Sequence, residues 1–201
     1  MKTNTTLLLA AALLLPALSR AQDSADYRVL GSSDAPVELA IYSDFECPHC
    51  RNFALAALPA IAAEFVDRGL VRIRYVYFPL AALHRNAVSS AKAAHCAGVA
   101  GRFWAYHDYL YVRQPEWSGA AVPDSLWIAY AENLGLEPQE FADCLSAPET
   151  LAQIESDVRK ALNSGATGTP TIVLGGRSLV DLASYEELRA KILAAIEDAR
   201  R

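Results

Sequence analysis

Two cysteines three positions apart close the stretch Phe45-Glu46-Cys47-Pro48-His49-Cys50, and no other feature of the chain constrains its fold as tightly. Such a pair closes a small disulfide ring, or lends two ligands to one metal from a single turn. The flanking sequence decides between these. Val37-Glu38-Leu39-Ala40-Ile41-Tyr42 reads as a strand, apolar on both faces and so central in a sheet. Arg51 to Phe65 places Phe53, Ala57, Leu58, Ile61 and Phe65 near helical spacing. The motif therefore sits where a strand ends and a helix begins. Cys47 falls at the helix N-terminus, where unpaired N–H groups and the macrodipole favour an anion. A thiolate there has a lowered pKa and is the nucleophile of thiol–disulfide exchange, so Cys47 is expected to be exposed and Cys50 to be its resolving partner. Pro48 suits the first helical turn. His49 can lower the Cys47 pKa by a hydrogen bond or by its charge; its plainer reading is a solvent-exposed spacer.

A zinc site needs about four ligands, and the sequence offers no second C-x-x-C and no H-x-x-x-H. No metal or organic cofactor is expected. A purely structural disulfide is the remaining plain reading of Cys47 and Cys50.

The chain opens with Lys2 and an apolar run, Leu7 to Leu15, too short to span a bilayer. Ser19-Arg20-Ala21 supplies small residues where a signal peptidase reads, so residues 1–21 are expected to be a cleaved signal peptide and 22–201 the mature domain. A retained membrane anchor is the alternative. Loss of Lys2 and Arg20 takes the formal charge from −5 to −7, which speaks against nucleic acid as a partner. Export also favours disulfides over free thiols. With Cys47 and Cys50 paired by proximity, Cys96 is left for Cys144. Two buried free thiols are the alternative there, and a bridge that tunes the first pair is a remoter one.

The rest of the chain reads in order as follows. Tyr27 to Leu30 allows at most a short strand before a turn at Gly31 to Pro36, and Val71 to Phe78 makes a second strand. Pro59 should kink the helix after the motif. Helices alone follow over about 80–166. They include His84 to Ala100, an aromatic stripe at Phe103, Trp104, His107, Leu110 and Tyr111, a helix ending near Gly135, and Pro138 to Leu145. Ser146-Ala147-Pro148-Glu149 has the form of a capping box and should start a longer helix bearing Leu151, Ile154, Val158, Ala161 and Leu162. Strands return at Thr171 to Leu174 and Arg177 to Val180 around Gly175-Gly176, and Ser184 caps a last helix. His84, His95, His107 and the three tryptophans read as packing residues. The fold class is α/β, with a helical block inserted into a small strand–helix unit.

Cys47-Pro48-His49-Cys50 after a strand, Gly168-Thr169-Pro170-Thr171 before a hairpin, and helices between them resemble the DsbA-like thiol:disulfide oxidoreductases, on the thioredoxin fold. The likeness spans almost the whole mature chain and includes Phe103-Trp104-Ala105-Tyr106-His107-Asp108. It implies an enzyme of the periplasm that puts disulfides into reduced or misoxidised exported proteins. A quinone-linked membrane reoxidase of the DsbB type would be its redox partner, and a monomer is expected. It also implies a cis Thr169-Pro170 bond facing the cysteines, with the Thr169 backbone free to pair with an extended substrate peptide. One departure stands out. Some relatives bury a carboxylate six residues before the first cysteine, where it helps move protons; here that residue is Ile41, with Asp44 and Glu46 nearby. A disulfide isomerase or reductase of the same fold is the alternative enzyme, and a chaperone or binding module with structural cysteines is the alternative outside catalysis.

Overall fold

The computed structural model describes residues 26–179 and 184–201. The expected signal peptide and Val180 lie outside them. A five-stranded sheet runs in the order β1-β3-β2-β4-β5. Its strands are β1 (Val29–Leu30), β2 (Val37–Ser43), β3 (Val71–Tyr77), β4 (Thr171–Leu174) and β5 (Arg177–Leu179). β2 is central, parallel to β3 and antiparallel to β4. Its side chains alternate between two cores, as the period of a strand requires. Val37, Leu39 and Ile41 pack with Leu58, Ile61 and Phe65 of the helix after the motif and with Leu188, Ile192 and Ile196 of the last helix. Ala40 and Tyr42 face the other way, onto Ala161 and Val158.

The helical segment at 48–66 starts earlier than the pattern predicts, because Pro48 supplies a preset φ at the first position. α1 (Pro48–Asn52) and α2 (Leu58–Ile61) are separated by a wide π-helical turn, Phe53–Ala57, and a second such turn, Ala62–Val66, ends the segment. Pro59 has no N–H for the Leu55 carbonyl. The first wide turn absorbs that defect, with the Leu58 N–H reaching back to the Phe53 carbonyl.

Between β3 and β4 run α3 (Ala87–Val99), α4 (Phe103–Trp117), α5 (Asp124–Asn133), α6 (Pro138–Ser146) and α7 (Pro148–Asn163). They enclose a second core in which Trp117, Trp127, Tyr106 and Tyr111 are fully buried beside Phe45, Tyr75 and Tyr77. α3 begins at Ala87 rather than His84, because Asn86 and His84 are spent on contacts with the motif's approach. The capping box does not form. Ser146 remains inside α6 and donates to the Ala142 carbonyl at 3.0 Å, and Ala147 takes the N-cap position of α7. α7 also turns a different face inward than its leucines suggest. Thr150, Ile154, Asp157 and Ala161 are buried, while Leu151 and Leu162 are exposed. The reason is Asp157. It pairs with Arg28, takes the Lys160 ammonium at 3.0 Å, and accepts from the Tyr77 N–H at 3.3 Å, so it anchors the helix to the start of the sheet.

The hairpin turn at Gly175 and Gly176 has φ of 54° and 80°, which glycine adopts without strain. α8 (Tyr185–Asp198) is capped by Ser184, whose hydroxyl accepts from the Glu187 N–H at 3.2 Å. Among the described residues no helix is long and apolar enough to cross a membrane.

Candidate active site

Cys47 ends the short turn after β2 and is the N-cap of α1, with extended backbone at φ −72° and ψ 125°. Pro48 and His49 are exposed, while Cys50 lies one turn into the helix and is buried. Both cysteines are free thiols. Cys47 is not exposed as expected; its residue surface is 4 % accessible. The cover comes from the far end of the chain. β4 sits against β2 with Tyr42 opposite Thr171, so the segment before β4 is laid over the helix N-terminus. The Thr169-Pro170 bond is cis, and the Cys47 thiol donates to the Thr169 carbonyl at 3.4 Å.

The two thiols are driven in opposite directions. Cys47 is held at about 5, down from 9.0, by a hydrogen bond from the Cys50 thiol, with help from the Thr169 hydroxyl and the Cys50 and His49 backbone N–H groups against the opposing effect of burial. Cys50 is pushed well above its ordinary value by burial, then by its hydrogen bond to Cys47 and by the charge there. His49 thus contributes through its main chain. The Thr169 hydroxyl is itself buried with no fixed partner, which leaves it free to turn toward the sulfur. Thr169→Val is therefore expected to raise the Cys47 pKa and slow exchange at acidic pH. Titration of thiolate absorbance measures this, and an unchanged midpoint would remove Thr169 from the site.

Neither nearby carboxylate serves the sulfurs; both hold the turn that carries them. Asp44 accepts from the Glu46 N–H at 2.8 Å, the Leu80 N–H at 2.8 Å and the His84 ring at 2.7 Å. Glu46 accepts from the Asn86 N–H at 2.5 Å, the Asn86 amide at 3.1 Å and the Gly119 N–H at 2.7 Å. Ile41 belongs to the apolar core under the sheet. What stands near Cys50 instead is a set of neutral hydroxyls. The Tyr111 hydroxyl lies 2.9 Å from the Ser43 hydroxyl and 3.3 Å from that of Tyr75. Burial pushes both tyrosines well above their ordinary range, so they stay protonated.

α4 supplies more of the site than its aromatic stripe suggests. The Tyr111 carbonyl accepts from the Arg51 guanidinium at 2.9 Å. Gln114 is buried, and its amide donates to the Phe45 carbonyl at 2.7 Å and the Cys47 carbonyl at 3.1 Å. Gln114 had one signal in the sequence: it is a polar residue on the apolar face that Phe103, His107, Leu110 and Trp117 share. Ser43 and Asn86 gave none.

Cys96 of α3 and Cys144 of α6 are joined by a disulfide. Beside the motif, a cavity of about 640 Å³ is lined by His49, Phe53, Thr169, Pro170, Tyr185 and Leu188, among others. Among the described residues no cluster of His, Cys, Asp or Glu is arranged to hold a metal ion.

The family model for thioredoxin matches residues 23–194. The chain belongs to the thioredoxin family. It is similar to disulfide bond formation protein D of Bacillus subtilis, at 27 % identity over 82 % of this chain and 74 % of that one. It is also similar to the Na(+)/H(+) antiporter NhaA 3 of Salinispora tropica, at 35 % identity over 86 % of this chain. This thioredoxin-family chain spans about a quarter of that antiporter's length, 25 %. Among solved structures, oxidised BdbD from Bacillus subtilis superposes with a TM-score of 0.76 at 25 % identity, covering 85 % of this chain and 92 % of that one. Alpha-DsbA1 of Wolbachia pipientis shares the fold, with a TM-score of 0.74 at 19 % identity over 86 % of this chain and 92 % of that one. The fold is thus the thioredoxin-like α/β fold of DsbA-type oxidoreductases.

Proposed function

We propose that this protein is an exported dithiol oxidase that introduces disulfides into exported proteins through Cys47 and Cys50. The observation that carries this reading is the placement of the pair, Cys47 at the N-cap of α1 under Thr169-Pro170 with Cys50 buried behind it, which drives the first thiol down and the second up. In the oxidised protein a substrate thiolate attacks the Cys47 sulfur. The bond to Cys50 breaks, and Cys50, a poor thiolate in its buried position, takes up a proton. A second substrate thiolate then attacks the substrate sulfur of the mixed disulfide and displaces Cys47, which leaves as a stabilised thiolate. Two substrate thiols become one disulfide, and the protein holds the two electrons as a dithiol. Stabilising the reduced form makes the oxidised form a stronger oxidant.

The cavity beside His49, Thr169 and Pro170 suits an extended peptide next to the reacting sulfur. The similarity to a disulfide bond formation protein supports the same direction of chemistry. A quinone-linked membrane reoxidase is the partner that would remove the electrons, and the apolar run at Leu7 to Leu15 supports export to the periplasm. Equilibration with glutathione redox buffers tests the reading. A strongly oxidising potential is expected. A potential near that of cellular reductants would make the protein a reductase, and failure to exchange would make it a binding module.

A further inference from the structure

Residues 44–47 form the turn on which the exchange chemistry rests, and its two carboxylates and the Phe45 and Cys47 carbonyls are all fastened from the helical insertion. Glu46 is tied by its carboxylate to Asn86 and Gly119, and its own N–H is held by Asp44. The two main-chain carbonyls that flank Glu46, those of Phe45 and Cys47, are both gripped by one side chain, the Gln114 amide. A primary amide nitrogen carries two hydrogens, and here each has a carbonyl. The Cys47 carbonyl also receives the Arg51 N–H at 3.1 Å, the first hydrogen bond of α1. Gln114 therefore joins the insertion to the peptide plane from which the helix begins.

We infer that Gln114 is a positioning residue for the exchange reaction, fixing the Cys47 main chain in the extended conformation that aims its sulfur at the first amides of α1. This inference rests on the proposed redox role of Cys47. Its physical basis is the orientation of the N-cap. Rotation of the Cys47 peptide would swing the side chain away from the N–H groups of His49 and Cys50, and the thiolate would lose the support that these groups give it. No contact between Gln114 and substrate is required.

Gln114→Met keeps the volume and removes both donors. In the reduced variant, the midpoint of Cys47 thiolate absorbance is expected to rise by about one pH unit, a tenfold loss of thiolate on the acidic side. The equilibrium with glutathione should shift about tenfold toward the oxidised protein. A side chain that only fills space would lower the melting temperature and leave both readouts where they were. A depressed wild-type midpoint that is unchanged in Gln114→Met overturns this inference alone. A wild-type midpoint in the ordinary thiol range overturns the oxidase reading and this inference together. Should the variant not fold, the wild-type side-chain amide of Gln114 reports by NMR. Its two proton resonances are expected to shift with the Cys47 midpoint and on oxidation, and resonances that follow neither overturn the inference.

Discussion

Cys47→Ser will abolish dithiol exchange, and Cys50→Ser will leave Cys47 able to form mixed disulfides that it cannot resolve. With a thiol held at about 5, on the order of a hundred Cys47 thiolates exist for each thiol at pH 7. Cys50 stays protonated in the same interval because its buried site disfavours charge. In reduced protein, alkylation should therefore modify Cys47 with a half-maximal rate near pH 5 and spare Cys50. With a disulfide-containing unfolded protein as substrate, the Cys47 thiolate of Cys50→Ser attacks one substrate sulfur and releases the other as a thiolate, so a covalent complex should accumulate, visible on non-reducing gels. Equal labelling of Cys50, or a stable complex with Cys47→Ser instead, would reverse the two roles. The same displacement sets how stability depends on pH. Folded Cys47 has lost its proton above about 5, whereas the unfolded thiol keeps its proton up to about 9.0, so unfolding takes up a proton between these values. The reduced protein should gain stability as pH rises from 5 to 9 and lose it as pH falls through 5. The oxidised protein has no thiols and should show no such term. Comparison of urea midpoints for the two forms across this interval checks the sign.

Removal of the second bridge is expected to have the largest effect on stability. Cys96 and Cys144 are bonded across a sequence separation of 48 residues, and they join α3 to α6. Closing a loop of that length removes about 4 kcal/mol of unfolded-chain entropy in the chain-entropy model. For a domain of this size that corresponds to a fall in Tm on the order of 10 °C. Thr150 shares the site, donating to the Cys144 carbonyl at 2.7 Å and holding the start of α7 against α6. Among the described residues neither Cys96 nor Cys144 shares a hydrogen bond with the turn at 44–47. The double variant Cys96→Ala with Cys144→Ala should thus melt earlier and still oxidise dithiols. Loss of exchange in a folded double variant would assign the bridge a redox role.

The parts of this molecule that were legible in the sequence are those decided locally. A strand apolar on both faces could only be central, and β2 is. Cys-Pro-His-Cys at a strand–helix junction could be placed because the four residues make their own turn. Gly175-Gly176 and Ser184 act within a few residues of themselves. What stayed hidden depends on partners far along the chain. Glu46 and Asn86 are 40 residues apart, and Gln114 meets the Phe45 carbonyl across 69. Nothing near Asp44 or Glu46 signalled that they would brace the turn rather than accept protons from the sulfurs. The capping-box pattern misled for a related reason. Ser146 had a local alternative, the carbonyl one turn behind it, and α6 continued far enough to take it.

The separation of Cys47 from Thr169 has a consequence for the order of events during synthesis. Their contact spans 122 residues and exists only after β4 has docked beside β2. A chain made from its N-terminus presents the Cys47–Cys50 segment first and the covering segment nearly last. Until the helical insertion has formed and brought β4 home, Cys47 is a thiol on an unfinished chain, with neither the Thr169 cover nor a buried Cys50 behind it. The Thr169 share of its redox character is therefore acquired late, with the closure of the most distant pairing in the sheet. A nascent chain stalled before residue 169 should therefore react with alkylating agents as an ordinary cysteine peptide.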